Sequence, residues 1–421
     1  MTNPIKSIRG MHDALAAQSA LFANIESHSI ETLRTFGYQE IRLPILEKTE
    51  LYTRSIGNHT DIVSKEMYSF EDRNSDSLTL RPEGTAGCVR AVLENGLITT
   101  RQRLWYSGPF FRHERPQKGR LRQFHQVGAE TFMMAGPDID CELITISNRI
   151  FEKLEIKNLT LKINSLGTSE ARRNYGKVLV NWLESRRDKL DDDSCRRLET
   201  NPLRILDSKD VNTQKLLEDA PQLSDYTDDA SRLHLEQLKS MLDDNGIAYQ
   251  HDPLLVRGLD YYNKTVFEWV SPGDSGQNSV CAGGRYDGLV ALLGGKPTTA
   301  AGFALGIERL ALLLEDKTDL AHRSDIYVVA LGERAESKAR ILADLLRTQL
   351  AAVVLNNCGG GSLKSQLRQA DKSGAKVAVI LGENEVRDKT ATIKDLRGKT
   401  EQKVCKESEL VSCIQTYFPV E

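Results

Sequence analysis

The sequence predicts an α+β fold in which an antiparallel sheet with flanking helices is followed by a small α/β domain. Strand-like runs follow one another with few helices between them, which favours antiparallel pairing. These runs lie at 77–80, 104–111, 123–130, 159–164 and 265–270. Residues 169–245 are rich in Lys, Glu, Asp, Leu and Arg, which indicates a helical insertion. From residue 326 onward strands and helices alternate, as in α/β domains.

The length of 421 residues favours two to three domains. A boundary is expected near 318–324, where a long apolar helix at 303–314 gives way to a polar connection. The expected segments are the first part of the core at 1–168, the insertion at 169–245, the second part of the core at 246–320 and the α/β domain at 325–421.

The elements follow from hydrophobic spacing. Leu21, Ile25 and Leu33 recur at helical spacing, and Gly37 is placed to end that helix in the left-handed conformation. Ile41 and the next apolar residues alternate with polar neighbours, which predicts a strand before Pro44. In the last domain the sequence predicts strands at 326–331, 353–355 and 377–381, helices at 336–350 and 363–372, and a glycine loop at 359–361.

Composition excludes several classes. Hydrophobic residues make up 40%, charged residues 27% and the net charge is −3, so any nucleic-acid surface must be local. No apolar run reaches 18 residues and the N-terminus lacks an apolar signal region, so we expect a cytoplasmic protein without a membrane span. Seven scattered cysteines without a CxxC pair argue against disulfides and zinc. The acidic run 191–193 is interpreted as a solvated turn.

The most informative segment is 106–130, two strand-like halves around a polar loop. Between residues 101 and 123 it carries seven Lys or Arg against a single acidic residue, Glu114. Such a hairpin can bind a strongly anionic molecule, although a solvated basic hairpin is the alternative. Strand alternation places Arg112 and Glu114 on the same face, which suits a site for a phosphate and a base.

Four shorter segments join this hairpin. LRPEGT (80–85) predicts a helix start with Pro82 at its first position and Glu83 in its first turn. LVRGLDYYNKTVFEWV (255–270) places Arg257 beside Gly258, where a ligand can approach closely. AGGRYDGL (282–289) predicts a Gly-Gly turn. In AGFALGIERLALLL (301–314), Arg309 interrupts an apolar helix and is expected to have an anionic partner.

The sequence contains no Walker motif, HExxH, nucleophile elbow or GxGxxG. The five segments instead combine arginines, carboxylates and tyrosines. This combination indicates positioning of a polyanion and a small polar molecule, without covalent catalysis.

These segments resemble the histidyl-tRNA synthetase family of class II aminoacyl-tRNA synthetases. FRHERPQKGRLRQFHQVGAE (111–130) is similar to the second class-defining motif, ALGIERL (304–310) to the third, and the stretch around Pro44 to the first, at the dimer interface. Segments 255–269 and 282–289 resemble the two that are peculiar to the histidine enzyme. The resemblance covers essentially the whole chain. It implies a class II antiparallel catalytic core, an anticodon-binding α/β domain and a homodimer.

The resemblance implies an ATP site in which Arg112 holds the α-phosphate and Arg309 the γ-phosphate. Glu114 would meet the adenine edge, with Phe124 stacked on the ring and Arg120 in the same site. Arg257 and Arg112 are the implied catalytic residues, and magnesium would be carried by the ATP phosphates without protein ligands.

The resemblance also implies a histidine site. Glu83, Thr85 and Gln126 would surround the α-amino group. Residues around the imidazole would be Glu130, Tyr261, Tyr262 and Tyr286. For histidine tRNA, Arg115 and Gln117 would meet the acceptor end with its extra 5′ guanosine. Helix 363–372 and its preceding glycine loop are the leading candidates to approach the anticodon.

Elementary chemistry agrees with these roles. Adenylate formation is an in-line displacement on phosphorus, for which two or three arginines and a metal suffice. Neutral imidazole presents one donor and one acceptor, which the Glu130 carboxylate and the Tyr262 phenol can satisfy.

Two other functions are compatible with parts of the sequence. The first is a non-catalytic regulatory subunit of ATP phosphoribosyltransferase, a paralogue that lacks the C-terminal domain and parts of the ATP and tRNA sites. The second is an RNA-binding module that no longer activates an amino acid. Arg112, Arg257, Arg309 and the C-terminal domain are all present here. Histidine-dependent ATP–pyrophosphate exchange discriminates the three.

Overall fold

A computed structural model of the chain describes residues 3–57, 60–208, 210–272, 278–314, 324–398 and 401–418. The chain divides into two compact units, 1–319 and 320–421. The linker expected at 318–324 lies almost entirely outside the described residues. No described helix is long and apolar enough to cross a membrane.

The first unit is built on an eight-stranded sheet with the order β1-β5-β6-β11-β10-β9-β7-β8. Only the outer pairs β1/β5 and β7/β8 are parallel. A separate three-stranded sheet has the order β2-β4-β3. The strands are β1 (Gln39–Glu40), β2 (Leu46–Lys48), β3 (Tyr68–Glu71), β4 (Ser77–Leu80), β5 (Gln102–Phe111), β6 (Gln123–Phe132), β7 (Thr160–Ser165), β8 (Gln250–His251), β9 (Asn263–Val270), β10 (Ser279–Arg285) and β11 (Ala300–Gly306).

Helices flank this sheet, and four of them lie between residues 169 and 245, as the composition of that segment predicts. The helices are α1 (Ala16–Thr35), α2 (Thr49–Ile56), α3 (Thr85–Glu94), α4 (Pro137–Lys153), α5 (Ser169–Glu184), α6 (Asp192–Thr200), α7 (Val211–Leu217), α8 (Asp229–Asp244), α9 (Leu289–Leu292) and α10 (Ile307–Leu314). Helix α1 buries Leu21, Ile25 and Leu33, and Gly37 follows it with φ +79°. The large antiparallel sheet with flanking helices confirms the predicted fold class.

The second unit has a five-stranded sheet with the order β13-β12-β14-β15-β16. Its elements are β12 (Ile326–Ala330), α11 (Glu333–Leu350), β13 (Val354–Asn356), α12 (Leu363–Lys372), β14 (Val377–Leu381), α13 (Glu383–Asp388), β15 (Thr390–Asp395), β16 (Lys403–Lys406) and α14 (Leu410–Gln415). The three predicted strands are parallel neighbours, as expected for an α/β unit. Loop 359–361 precedes α12, and each of its glycines has a positive φ.

Local predictions were wrong at two glycine-rich segments. The helix expected at 303–314 begins at Ile307, because the preceding residues belong to β11 and pair with β6. Gly283 and Gly284 lie within β10 and do not form a turn. A Cβ at Gly283 would lie 2.3 Å from the carbonyl oxygen of Gly302, so glycine permits close approach of neighbouring strands there.

The strand expected at 41–44 is absent. The Ile41 amide still bonds the Trp105 carbonyl, but the carbonyl of Leu43 accepts from the Arg81 guanidinium at 3.0 Å. The acidic run 191–193 is also not a turn. Asp191 caps α6, accepting hydrogen bonds from the backbone amides of Asp193 and Ser194.

Candidate active site

An open cavity of about 930 Å³, counting its solvent-filled mouth, lies over the hairpin strands β5 and β6 and beside β10, β11 and α10. The sequence-predicted residues that line it are Glu83, Thr85, Arg112, Glu114, Arg120, Phe124, Gln126, Arg257, Tyr261, Tyr262 and Arg309. Glu130 and Tyr286 lie outside this lining, and each of them contacts residues near it.

Three guanidinium groups converge on the cavity. Arg112 donates from Nε to the Pro82 carbonyl at 2.8 Å, and its guanidinium carbon lies 5.3 Å from the centre of the Phe124 ring. Arg257 contacts the Glu268 carboxylate at 3.2 Å, while its buried Nε has no hydrogen-bond partner. Burial acts against the charge of Arg257, but the Glu268 carboxylate together with Tyr262, Tyr261 and Asp207 outweighs it and raises the pKa of Arg257.

Arg309 has no carboxylate partner among the described residues. Its guanidinium donates to the carbonyls of Gly119 at 3.3 Å and Ser279 at 2.5 Å. Burial and the neighbouring cations Arg112 and Arg120 together lower the pKa of Arg309 to about 10. The anionic partner expected from the sequence is therefore not a described carboxylate of this chain, and the cavity has an excess of positive charge where Arg309 enters it.

Glu114, the residue predicted to meet adenine, is engaged by arginines. Its carboxylate pairs closely with Nε of Arg120 and lies 3.9 Å from Nη1 of Arg112. Arg120 also lies 3.9 Å from the Glu66 carboxylate. These ion pairs hold the base of the hairpin loop against the cavity.

Glu83 lies just before α3 and not in its first turn, because the helix begins at Thr85 with Gly84 as its N-cap. Pro82 is therefore not the first helical residue. The Glu83 carboxylate accepts hydrogen bonds from the backbone amides of Thr85 at 2.7 Å and Ala86 at 2.9 Å. Burial raises the pKa of Glu83, and these two hydrogen bonds oppose the shift. Glu83 thus occupies the helix N-terminus while facing the cavity.

Glu130 is buried among hydroxyl groups. Its carboxylate accepts from the hydroxyls of Thr85 at 2.7 Å and Tyr106 at 2.9 Å, and from the hydroxyl of Tyr286. Burial raises the pKa of Glu130 to about 8, although all three hydrogen bonds oppose the shift. Tyr261 packs against Tyr262 and Tyr286, with ring centres 4.7 and 5.7 Å apart. Glu130 and the tyrosines Tyr261, Tyr262 and Tyr286 therefore form one cluster of a carboxylate and three phenol rings.

Tyr106 was missed as a site residue although it opens the hairpin segment. Its ring lines the cavity between two glycines, Gly84 and Gly128, at which an added Cβ would lie 2.3 Å from the ring. The sequence signal that could have identified Tyr106 was the pair of glycines, Gly84 and Gly128, that make room for its ring.

Glu308 was also missed as a site residue. It lines the cavity and accepts hydrogen bonds from the backbone amide and from Nδ1 of His125, the latter at 2.8 Å.

The hairpin loop carries Arg115 and Gln117 away from the cavity lining, and both side chains are exposed. Gln117 and Arg120 exchange two backbone hydrogen bonds of 3.0 and 2.9 Å, which close the turn at Gly119 with φ +73°. The loop tip is therefore ordered by its backbone and leaves both predicted tRNA-binding side chains available. Among the described residues no group of three or more His, Cys, Asp or Glu could hold a metal ion.

Comparison with known proteins adds to this geometry. Residues 10–310 match the family model described as histidyl-tRNA synthetase, and residues 325–417 match that of an anticodon binding domain. A curated histidine–tRNA ligase of Hydrogenovibrio crunogenus is 53% identical to this chain over 421 residues, and the match covers 99% of both proteins.

Solved structures give the same result. The chain is similar to an apo histidyl-tRNA synthetase from S. aureus, with 34% identity, a TM-score of 0.81 and coverage of 98% of this chain and 100% of the other. A Bacillus halodurans structure titled as an ATP phosphoribosyltransferase regulatory subunit/histidyl-tRNA synthetase matches with a TM-score of 0.66 but 20% identity, covering 90% of this chain and 99% of the other. That second likeness extends to the fold alone.

Proposed function

The chain belongs to the histidyl-tRNA synthetase family and attaches histidine to tRNA, and from this premise we propose that its cavity binds ATP and histidine and forms histidyl-adenylate. The observation that carries the proposal is the convergence of Arg112, Arg257 and Arg309 on one cavity, where Arg309 contacts only carbonyl groups among the described residues. A polyphosphate supplies the missing negative charge.

The three arginines have different roles. Arg112 holds the α-phosphate, where its bond to the Pro82 carbonyl fixes one side of the guanidinium. Arg309 holds the γ-phosphate, because only carbonyls contact its guanidinium among the described residues. Arg257 stabilises the charge that develops as the histidine carboxylate attacks the α-phosphorus. Its unpaired Nε is a donor without a partner until the substrate arrives.

The remaining residues recognise the two substrates. Phe124 stacks on adenine, and Glu114, whose carboxylate pairs with Arg120 in the cavity lining, meets the adenine edge. Glu83, Thr85 and Gln126 lie where the α-amino group binds. Glu130, Tyr262 and the neighbouring tyrosines recognise the imidazole. A site that must pair both ring nitrogens rejects analogues that lack them by about 10⁴ to 10⁵.

Magnesium fits this cavity as an ion carried by the ATP phosphates. The lining carboxylates Glu83, Glu114 and Glu308 are engaged by backbone amides, by arginines and by His125, respectively. When bound, magnesium would offset phosphate charge during displacement. Arg112 and Arg309 share that task from the protein side.

The tRNA contacts lie in both units. Arg115 and Gln117 at the exposed hairpin tip meet the acceptor end. In the second unit, α12 and the loop 359–361 approach the anticodon. The three consecutive glycines let a base approach the backbone without side chains in the way, while Asn357 and Gln366 hold the carbonyls of Gly360 and Gly361.

Two such chains form a homodimer through the first class-defining segment. Ile45, Leu46 and Phe70 are large apolar residues with 42%, 42% and 46% exposure, near the small sheet of β2, β3 and β4. An isologous interface would cover these residues. Sedimentation of a fully active monomer at assay concentration would refute the dimer.

Histidine-dependent ATP–pyrophosphate exchange tests the proposal. The wild type should catalyse exchange only with histidine present. Arg309→Ala should raise the KM for ATP, because it removes a γ-phosphate contact, while histidine binding stays near the wild-type value. An unchanged KM for ATP would remove Arg309 from the ATP site. A regulatory subunit or a simple RNA-binding module would support no exchange, so this assay also excludes both alternatives.

A further inference from the structure

We infer that Arg285 is a positioning residue for histidine recognition and acts through its neighbour Tyr286. The inference rests on the function proposed above for Tyr286 and Glu130. Arg285 is 0% exposed and lies outside the cavity lining. It does not reach a ligand in the cavity, so any effect on histidine must pass through the residues that it holds.

The guanidinium of Arg285 is surrounded by acceptors. Its Nε lies 2.9 and 3.0 Å from the two carboxylate oxygens of Asp140 on α4, and it donates to Oδ2. Its Nη1 donates to the Met134 carbonyl at 3.1 Å, and its Nη2 donates to the Gly136 carbonyl at 2.5 Å. Both carbonyls belong to the turn between β6 and α4. One buried side chain therefore ties the end of β10 to the turn that follows β6.

This tie controls the contact between Tyr286 and Glu130. Glu130 lies on β6, and Tyr286 follows β10 directly and donates to the Glu130 carboxylate. Strand β11 lies between β6 and β10, so no backbone pairing joins the two residues directly. Arg285 pairs with Ala301 of β11, which pairs with the residue next to Glu130. Arg285 thus lies level with Thr131, one residue from Glu130 and two strands away.

The backbone at Arg285 leaves the regular ladder. The pairing of β10 with β9 is irregular between Gly284 and Arg285. Beyond this point the Tyr286 amide donates to the Ala300 carbonyl at 2.9 Å, and Asp287 accepts from the Ala300 amide at 3.0 Å. Asp287 also lies 3.4 Å from Nη1 of Arg285. The Arg285 side chain therefore adds contacts at the point where the β9–β10 pairing is irregular, one residue before Tyr286.

The same carboxylate connects this arrangement to the helical segment 169–245. Oδ2 of Asp140 also lies 2.5 Å from Nε2 of His234 on α8 and accepts from the Thr265 hydroxyl at 3.0 Å. His234 is buried, with 8% exposure. Removing its ring would leave Asp140 with one fewer donor, and the Asp140–Arg285 pair would relax toward the vacated side.

The first test replaces Arg285 with lysine, which keeps the charge but cannot bind Asp140 and two carbonyls at once. We expect Arg285→Lys to raise the KM for histidine roughly 10- to 100-fold, the effect of an ångström-scale displacement of a recognition group. The KM for ATP should change by less than about twofold, because none of the residues that Arg285 contacts is assigned to ATP binding. Arg103→Lys is the matched control, since Arg103 pairs with Glu142 of the same helix α4 outside the cavity.

The second test is a double-mutant cycle with Tyr286→Phe. If Arg285 acts through Tyr286, Arg285→Lys should add little to the rise in histidine KM already caused by Tyr286→Phe. Independent, multiplying effects would overturn the inference, as would an unchanged histidine KM in Arg285→Lys. A normal histidine KM in Tyr286→Phe would instead contradict the proposed function of Tyr286.

Should Arg285→Lys fail to fold, His234→Leu removes the donor at the other side of Asp140 and provides a second test. It should raise the KM for histidine in the same direction by a smaller factor, again with the KM for ATP unchanged. An unchanged histidine KM in a folded His234→Leu protein would overturn the inference.

Discussion

The Thr85 hydroxyl donates a hydrogen bond to Oε1 of Glu130 over 2.7 Å, although 45 residues separate the two in the chain. The contact joins the first residue of α3 to the middle of the hairpin strand β6. Tyr106 and Tyr286 complete a shell of hydroxyl groups around the same carboxylate. No cation pairs with it among the described residues, so burial dominates and raises the pKa of Glu130 to about 8.

This raised pKa predicts a pH-dependent stability. Between the ordinary glutamate value of 4.5 and about 8, the folded protein keeps a proton that the unfolded chain has released. Stability contributed by Glu130 is therefore present below pH 4.5 and falls as the pH rises through this window, by up to about 1.4 kcal/mol per pH unit. Glu130→Gln should lose this dependence. Urea unfolding of both proteins from pH 5 to 8 measures it, and parallel stability curves would contradict it.

Arg257 should act on the transition state more than on substrate binding. Arg257→Ala should lower single-turnover adenylation by about 10² or more, the usual loss when a preorganised charge-stabilising donor is removed. Histidine binding should change much less. Because the substitution also leaves Glu268 unpaired, Arg103→Ala is the control: it leaves Glu142 unpaired outside the cavity and should keep normal adenylation. A near-normal rate in Arg257→Ala would remove Arg257 from the catalytic residues.

Gly128 should be intolerant of a side chain for a steric reason. A Cβ there would lie 2.3 Å from the Tyr106 ring, which is already held by its bond to Glu130. Gly128→Ala should destabilise the protein by about 1 to 3 kcal/mol and weaken histidine binding. Gly176→Ala is the matched control in α5, where an added Cβ meets no atom within 4 Å. It should stabilise the protein by about 0.5 to 1 kcal/mol. Equal stabilities of the two variants in urea unfolding would refute the steric argument.

The large elements were predictable because their signals are local. Apolar alternation in the hairpin strands and helical spacing in α1 each depend on a few neighbouring residues. The start of α10 and the strand position of Gly283 were not predictable this way, because strand pairing over long sequence distances decides the first and close approach of Gly302 decides the second. At the site, sequence reasoning expected an anionic partner for Arg309 but did not determine whether the chain itself supplies it. The described partners of Arg309 are carbonyls, consistent with an anion supplied by a ligand.

The two units should be separable in function. Every residue assigned to ATP and histidine precedes Leu310, and residues 326–418 have buried hydrophobic clusters of their own. Deleting residues 326–421 should leave histidine-dependent pyrophosphate exchange detectable, while charging of tRNA falls sharply. Comparing both activities in the full chain and the truncated protein measures this. Normal charging by the truncated protein would show that the anticodon assignment is wrong.

The hairpin tip should read the 5′ end of histidine tRNA through Gln117. Its side chain is exposed, and the turn around it is closed by backbone hydrogen bonds with Arg120, so truncating the side chain leaves the loop intact. A glutamine amide offers both a donor and an acceptor to a base edge, whereas Arg115 offers bidentate donors to guanine or to phosphate. Gln117→Ala should therefore weaken discrimination at the 5′ nucleotide by roughly 1 to 3 kcal/mol, with adenylation nearly unchanged.

The decisive comparison for this loop is charging of tRNA with and without the extra 5′ guanosine. Arg115→Ala should lower charging of both tRNAs if its contact is to phosphate, and should reduce the preference between them if its contact is to the base. Lys118→Ala is the control on the same exposed turn. If Lys118 only closes over ATP or contacts phosphate, its removal leaves the preference for the extra 5′ guanosine unchanged. If Arg115→Ala and Gln117→Ala both keep the wild-type preference, the loop is not the reader. Recognition of the extra nucleotide would then be sought in the helical segment 169–245. There, Arg172, Arg173 and Lys177 of α5 line a groove.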